Sequence, residues 1–161
     1  MIKIKNPFTM MGARHDYNCF GCSPFNEIGL QLEFWEDGNQ LIAKWQPRKS
    51  LEGWINVVHG GIQAAVIDEL AGWIVMVKIK TAGVTSALNV RYLKPVNISK
   101  GEVTVKGKLI SEDKSLATIA VSLFDGEGTE CANAKVIYFC FPEIIAKTKY
   151  HYPGIQAFYE Q

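Results

Sequence analysis

The sequence lacks an excess of charge of either sign, and it lacks a hydrophobic run long enough to cross a bilayer. Its 161 residues include 17 Lys and Arg against 16 Asp and Glu, so the basic surface of a nucleic-acid binder is not expected. The longest apolar run of the central segment, Leu70 to Val77, is far shorter than the ~20 residues of a transmembrane helix. No signal peptide is recognisable. These absences predict a cytoplasmic protein with neither nucleic-acid nor membrane partners.

Cysteine is also scarce, and its spacing gives no disulfide framework. The 4 cysteines stand at positions 19, 22, 131 and 140, and in a cytosolic chain they are expected to be thiols. Cys19 and Cys22 form one isolated CxxC pair. A zinc site there would recruit His15, but the sequence shows no fourth ligand. A structural role for the pair is therefore favoured, and no metal or redox cofactor is predicted.

Hydrophobic periodicity indicates two strands, one long helix and then further strands. Residues 28–47 are predicted to form a hairpin, because apolar and polar residues alternate in LQLEF and EDGN supplies a turn. From Gly60 to about Ile79 the pattern predicts a helix of ~30 Å. This helix is apolar on almost every face, so we expect the rest of the protein to cover it on most sides.

Four runs of alternating apolar residues follow the helix and would supply this cover. They are TSALNVRYLKPV, GEVTVKGKLISED, KSLATIAVSLFDGEG and TECANAKVIYFCF, and turn sequences join them. Short connections favour an antiparallel meander. The prediction is a single α+β domain over residues 1–161, in which a curved antiparallel sheet wraps a long central helix.

Three segments carry a family resemblance. VVHGG opens the helix with an Asp nine residues after the His, ALNVRYLKPV follows the helix, and CFGCSPFNEIGLQLEF leads into the first hairpin. Together they resemble the hotdog-fold acyl-CoA thioesterases, and most closely the PaaI-like branch. The resemblance covers about residues 19–142, so residues 1–18 and 143–161 are expected to be terminal extensions.

The resemblance implies hydrolysis of an acyl- or aryl-acyl-CoA thioester to the free acid and CoA. Such hydrolysis needs a hydrogen-bond donor to the carbonyl oxygen, which a helix N-terminal amide supplies, and a carboxylate that activates water or attacks directly. By resemblance, Gly60 donates its N–H to the carbonyl, Asp68 is the general base or nucleophile, and His59 orients the thioester. Gly61 has no side chain and lets the substrate approach the backbone closely.

Four further residues are candidates for substrate binding. Some relatives carry a polar residue about four positions before the Asn of the post-helix strand, which corresponds to Thr85 here, with Ser86 beside it. Relatives often have an Asn six positions before the His, where this chain has Gly53, so Asn56 is considered as its replacement. Arg91 is a candidate for contact with the CoA phosphates.

Each site residue also has a purely structural interpretation. His59 can simply cap the helix, the two glycines can form a tight turn, and Asp68 can be paired within an interface. Thr85 can be an ordinary strand residue. Glu69 competes with Asp68 as the acid, but the spacing from His59 favours Asp68.

Two other functions are open on the sequence alone. The fold also serves dehydratases and hydratases of β-hydroxyacyl or enoyl thioesters, and a non-catalytic acyl-CoA-binding protein would have the same shape. HYPG at residues 151–154 resembles the start of the dehydratase motif, but that motif precedes the central helix. It is interpreted as a turn beside an aromatic tail.

Helix geometry also predicts a homodimer. His59 and Asp68 are nine residues apart, which corresponds to ~13 Å and ~2.5 turns, so they lie on opposed faces of their helix. A twofold axis that places two helices antiparallel would bring Gly60 of one subunit towards Asp68 of the other. The predicted assembly is a homodimer with two shared sites, and pairing into a homotetramer is common in the resembled family.

Overall fold

A computed structural model describes residues 1–10 and 16–159, which form one sheet around one long helix. The strands are β1 (Ile2–Ile4), β2 (Glu33–Asp37), β3 (Gln40–Trp45), β4 (Gly83–Tyr92), β5 (Val103–Asp113), β6 (Leu116–Phe124) and β7 (Glu130–Cys140). The helices are α1 (Gly60–Ile74), which continues as a π-helical turn (Val75–Ile79), and the short α2 (Glu143–Lys149). Single 3₁₀ turns lie at Pro7–Met10, Lys49–Leu51, Ile98–Lys100 and Ile155–Phe158. The predicted α+β fold is confirmed.

The 7-stranded sheet has the order β1-β2-β3-β5-β6-β7-β4, and every neighbouring pair is antiparallel. The predicted meander is confirmed for β5, β6 and β7. It is wrong for β4, which pairs with β7, because β5 already pairs with β3 on one side and β6 on the other. Within the expected N-terminal extension, residues 2–4 form strand β1, which pairs with β2.

The central helix has the predicted length, and the sheet buries one side of it. Helical backbone runs from Gly60 to Ile79, and it ends where Lys80 adopts a left-handed conformation with φ 65°. The side that packs on the sheet is completely buried and includes Val66, Ile67, Leu70, Ala71 and Ile74. The opposite side is only half-buried, at Ala64, Ala65, Asp68 and Gly72. Within one chain, therefore, the side of the helix at Ala64, Ala65, Asp68 and Gly72 is left only partly covered.

Alternating residues of β5 and β6 form the floor beneath the helix. The predicted inward faces are confirmed, because Val103, Val105 and Gly107 are buried on β5 and their neighbours on β6 are Ala117, Ile119, Val121 and Leu123, all buried. Gly107 lets the helix lie close to the sheet, since a Cβ at this position would stand 2.7 Å from Cδ1 of Ile74. The absence of a side chain at Gly107 thus allows close packing of the helix on β5.

The C-terminal residues pack on the last turns of the central helix. Phe158 is completely buried and meets the Trp73 ring edge-on at 5.7 Å. The Tyr152 hydroxyl donates to the Met76 carbonyl at 2.7 Å, and the Tyr159 hydroxyl donates to Glu36 at 2.7 Å. The aromatic tail is therefore part of the core. Among the described residues, no helix is long and apolar enough to span a membrane.

Candidate active site

The start of the central helix presents one unused backbone amide. His59 is the N-cap residue, and its Nδ1 accepts a 2.9 Å hydrogen bond from the Gly61 N–H, which leaves the ring proton on Nε2. The Gly60 N–H donates to none of the described residues. Its carbonyl accepts a 2.7 Å hydrogen bond from the Tyr92 hydroxyl. The cap therefore occupies the Gly61 amide and leaves the Gly60 amide available at the positive end of the helix dipole.

Two hydroxyl groups hold the Asp68 carboxylate. The Thr85 hydroxyl donates to Oδ1 at 2.7 Å, and the Tyr138 hydroxyl lies 3.1 Å from the same oxygen and 3.0 Å from the Asp68 carbonyl. Both side-chain contacts go to Oδ1, so Oδ2 receives no hydrogen bond from the described residues. Asp68 thus has one anchored oxygen and one oxygen free to act on a ligand.

Tyr138 is a site residue that the sequence interpretation missed. It is the only polar residue among the buried, inward-facing positions of β7, which are Ala132, Ala134, Val136 and Tyr138. A single polar residue among alternating apolar residues was the feature of the sequence that could have identified Tyr138 as a site residue. Burial, followed by the nearby Asp68 carboxylate, raises the pKa of Tyr138. The phenol therefore stays protonated and can only act as a donor to Asp68.

A β-bulge at Ser86 turns Thr85 towards the helix. Thr85 pairs with Tyr138, but the next pair along the strands is Ala87 with Ile137, so Ser86 is the extra residue of β4. Directly paired residues share a face of the sheet, which is why Thr85 and Tyr138 reach the same carboxylate. The structure brings Thr85 to Asp68 but leaves Ser86 exposed on the strand.

Arg91 and Asn56 lie apart from Asp68. Arg91 pairs with Asn133 and is exposed; it points away from the helix, since the adjacent residue, Tyr92, faces it. Asn56 has a left-handed backbone, with φ 64°. Its side-chain Nδ2 donates to the Ser99 hydroxyl, and its Oδ1 accepts from the Ser99 N–H, both at 2.9 Å. Asn56 therefore pins the loop before the helix, and contact of either residue with substrate stays a prediction.

Glu69 faces a different part of the protein from Asp68. Successive residues differ by ~100° around a helix, and Glu69 points to the CFGC segment instead of to β4 and β7. It accepts a 3.1 Å hydrogen bond from Trp73 Nε1, and both of its oxygens lie 3.5 Å from Cys19 Sγ. Burial raises the pKa of Glu69 above its ordinary value. The two adjacent carboxylates thus have separate surroundings.

A small aromatic cavity begins beside this site. Its volume is about 250 Å³, and its lining includes Gly72, Trp73, Met76, Tyr138 and Tyr150. Two larger clefts, of about 650 and 890 Å³, lie elsewhere among the described residues. Asp68 and Gly60 line none of the three, and Glu69 lines the smaller cavity. The smaller cavity is the one that the chemistry favours, because Tyr138 belongs both to it and to the Asp68 hydrogen-bond network.

Comparison with known proteins adds independent information. Residues 55–132 match the family model described as Thioesterase superfamily. A protein of Saccharolobus solfataricus named "Putative esterase SSO1253" is 31% identical over 127 residues, which make up 78% of this chain and 82% of that protein.

Solved structures share the fold at lower identity. A protein of Streptococcus pneumoniae TIGR4, described as a hypothetical thioesterase with coenzyme A, superposes with a TM-score of 0.63 at 19% identity, over 70% of this chain and 90% of that chain. The protein smu.793 of Streptococcus mutans UA159, bound to acetyl CoA, superposes with a TM-score of 0.64 at 16% identity, over 80% and 96% of the two chains.

Proposed function

Since the chain belongs to the thioesterase superfamily and is a thioester hydrolase, we propose that it hydrolyses an acyl- or aryl-acyl-CoA to the free acid and CoA, as a member of the PaaI-like branch. The observation that carries the proposal is the Asp68 carboxylate, anchored through Oδ1 and free at Oδ2. The coenzyme A and acetyl CoA bound to two proteins of the same fold support a CoA thioester as substrate.

The proposed chemistry divides between a donor and a carboxylate. The Gly60 N–H donates to the thioester oxygen as negative charge develops there. Asp68 Oδ2 takes a proton from a water molecule whose oxygen attacks the carbonyl carbon, or attacks that carbon itself. The C–S bond then breaks, and the CoA thiolate leaves and is protonated. Where Asp68 itself attacks, water then hydrolyses the acyl-Asp68 anhydride, which releases the free acid and restores the carboxylate. His59, whose Nε2 proton is not used in the cap, lies beside the donor and orients the thioester.

The two groups act on one carbonyl only if two subunits share a site. Gly60 and Asp68 are eight residues apart on α1, which corresponds to ~12 Å along one helix. The half-buried side of α1 and the edge strand β4 provide an apolar surface for a second copy, where Leu88, on the same face of the sheet as the buried Val136, is still 37% exposed. We therefore propose a homodimer in which antiparallel helices bring Gly60 of one subunit to Asp68 of the other.

The aromatic cavity beside Tyr138 is the proposed acyl site. It lies one helical turn from Asp68, at Gly72, where the absence of a side chain opens the space next to the Tyr138 hydroxyl. A volume of about 250 Å³ accommodates a benzoyl or medium-chain acyl group but not a long fatty acyl chain. The expected preference is for compact, apolar acyl groups.

A free-thiol assay over a panel of acyl-CoAs tests the function. Acetyl-, hexanoyl-, benzoyl-, phenylacetyl- and palmitoyl-CoA are each incubated with the protein, and released CoA is measured. Release from the compact apolar substrates supports the proposal. An enoyl-CoA is incubated in parallel, and its hydration without thiol release would assign the protein to the hydratases instead. Binding of the acyl-CoAs without turnover would make it an acyl-CoA-binding protein.

A single turnover in ¹⁸O-labelled water distinguishes the two roles open to Asp68. If Asp68 activates water, the acid product carries the label after one turnover. If Asp68 attacks the carbonyl and water opens the resulting anhydride at the Asp68 carbonyl, the first product carries an unlabelled oxygen and the label appears in the Asp68 side chain. Opening at the acyl carbonyl labels the acid, as water activation does, and trapping of the acyl-enzyme with hydroxylamine separates these two cases.

A further inference from the structure

Cys19, Cys22 and Glu69 form a side-chain cluster that the thioesterase chemistry does not use. Their ligand-type atoms, two sulfurs and a carboxylate oxygen, all lie within 4.8 Å of one another. The CxxC pair comes from the segment before the first hairpin, whereas Glu69 comes from the central helix. A donor that the local sequence pattern did not show is thus supplied by a distant part of the chain.

The spacing between Cys19 Sγ and the Glu69 carboxylate suits two ligands of a tetrahedral zinc ion. Zn–S bonds of about 2.3 Å and Zn–O bonds of about 2.0–2.2 Å at tetrahedral angles place sulfur and oxygen about 3.5 Å apart. The observed distances from Cys19 Sγ to the two oxygens of Glu69 are both 3.5 Å. Two thiolates and one carboxylate are a donor set that favours zinc over the hard cations magnesium and calcium.

Hydrogen-bond donors stand behind two of the three ligands. The Tyr17 hydroxyl lies 2.8 Å from Cys22 Sγ and accepts a 2.8 Å hydrogen bond from Asn6 Nδ2. When Cys22 is a thiolate, which has no proton, the Tyr17 hydroxyl is the donor of this pair. Trp73 Nε1 donates to the Glu69 carboxylate at 3.1 Å. Such donors orient metal ligands and stabilise their charged forms.

The backbone of the CFGC segment holds the cluster in place. The Ser23 N–H donates to the Cys19 carbonyl at 3.0 Å, and the Leu32 N–H donates to the Gly21 carbonyl at 2.9 Å. Gly21 lies directly over the Glu69 carboxylate, because a Cβ there would be 2.3 Å from Glu69 Cδ. The segment is therefore closed around the carboxylate by its own hydrogen bonds.

We propose that Cys19, Cys22 and Glu69 bind one zinc ion, which ties the N-terminal segment to the central helix. The two thiols lose their protons when zinc binds, and the three side chains leave one tetrahedral position for a further ligand. His15, which the sequence pattern offered as a ligand, lies outside the described residues, so the proposal depends on the other three. It does not depend on which acyl-CoA is hydrolysed, although Glu69 also lines the aromatic cavity.

Zinc content and affinity of the full chain test this site. The purified protein is stripped with a chelator, titrated with Zn²⁺ and then with Co²⁺, and assayed by elemental analysis and for thiolate-to-cobalt absorption. One zinc per chain is expected. Cys19→Ser should abolish stoichiometric binding, whereas Cys140→Ser, a change at an equally half-buried thiol, should leave it intact. Tyr17→Phe should weaken zinc binding about 10–100-fold, since it removes a donor behind Cys22.

A measurement on the unaltered chain guards against variants that fail to fold. The zinc-loaded protein is treated with an alkylating reagent, and the modified cysteines are identified by mass spectrometry. Cys19 should be protected until the chelator is added, while modification of Cys140 should not depend on the chelator. The proposal is overturned if the stripped chain takes up no zinc, if Cys19→Ser retains the same zinc content, or if zinc gives Cys19 no protection.

Discussion

Thr85 and Tyr138 are directly paired across β4 and β7, and their hydroxyls both donate to the same oxygen of Asp68. This convergence requires the bulge at Ser86, because the bulge sets which face of β4 carries Thr85. The two hydroxyls hold one carboxylate oxygen in place, and the other receives no hydrogen bond from the described residues.

Loss of either hydroxyl should reduce turnover through Asp68. We expect Tyr138→Phe to lower kcat about 10-fold, the size of one hydrogen bond of about 1.4 kcal/mol, while KM changes little. Thr85→Val should act in the same direction. Because both groups hold one oxygen, the double variant should lose less than the product of the two single effects. Steady-state hydrolysis of one accepted acyl-CoA measures this, and an unchanged kcat in both single variants would contradict a positioning role.

Asp68 and not Glu69 should carry the chemistry. Asp68→Asn keeps the shape of the side chain but removes the base or nucleophile, so kcat should fall roughly 10²-fold or more while substrate still binds. Glu69→Gln should cost far less in turnover, because Glu69 faces Trp73 and Cys19. Dimer content is checked by size-exclusion chromatography. Near-normal kcat in Asp68→Asn together with an inactive Glu69→Gln would move the acid to residue 69.

The Gly60 amide can be removed without disturbing the helix. Proline is favoured at the first helical position, and a Cβ at residue 60 meets nothing closer than the Tyr92 ring at 3.6 Å. Gly60→Pro should therefore fold, yet it should lose roughly 10²-fold in kcat because the carbonyl donor is gone. Gly60→Ala adds similar bulk but keeps the N–H, so it is the matched control. Equal activity of the two variants would exclude the amide as the donor.

Mixing two inactive variants tests the shared site. In a heterodimer of Asp68→Asn and Gly60→Pro subunits, one site combines the intact Gly60 of one chain with the intact Asp68 of the other. Random subunit exchange should therefore restore about one quarter of wild-type activity, because half of the dimers are mixed and each has one intact site. The measurement is activity after refolding the mixture. No recovery in a mixture that contains heterodimers would mean that each site lies within one chain.

Glu36 should stabilise the fold in a pH-dependent way. Burial alone would raise the pKa of Glu36, but hydrogen bonds from Lys78 and Tyr159 together lower it. A carboxylate with a lowered pKa contributes stability above its unfolded pKa, about 4.3, and the contribution is lost as pH falls through the folded pKa. Glu36→Gln should therefore lower the free energy of unfolding by about 1–2 kcal/mol at pH 7, and much less at low pH.

Urea unfolding at pH 7 and at about pH 3 measures this difference. Glu33→Gln on the same strand is the control, because Glu33 pairs with Lys3 at the surface, where both side chains are more than half exposed, and such pairs contribute little. A destabilisation by Glu36→Gln that is the same at both pH values would show that charge is not its source.

Local patterns in the sequence determined where the central helix and the strands lie, and they identified the helix N-terminus as a place where a hydrogen-bond donor for catalysis could lie. Apolar periodicity predicted the helix from Gly60 to Ile79 and the alternating faces of β5 and β6, because each depends only on spacing along the chain. The cap residue His59 and the two glycines that follow it could also be identified from the sequence, because they are adjacent in the chain. The spacing of His59 and Asp68 further predicted that one chain cannot complete the site.

The tertiary structure alone decided which strands meet and what each polar group faces. Strand β4 pairs with β7 and not with β5. This pairing depends on which edges of the sheet remain free, and local periodicity carries no information about it. The bulge that turns Thr85 inward, the donation by Tyr138 to Asp68, and the approach of Glu69 to Cys19 all join residues far apart in the chain. Such contacts depend on how the elements pack in three dimensions, so no spacing rule along a single sequence contains them.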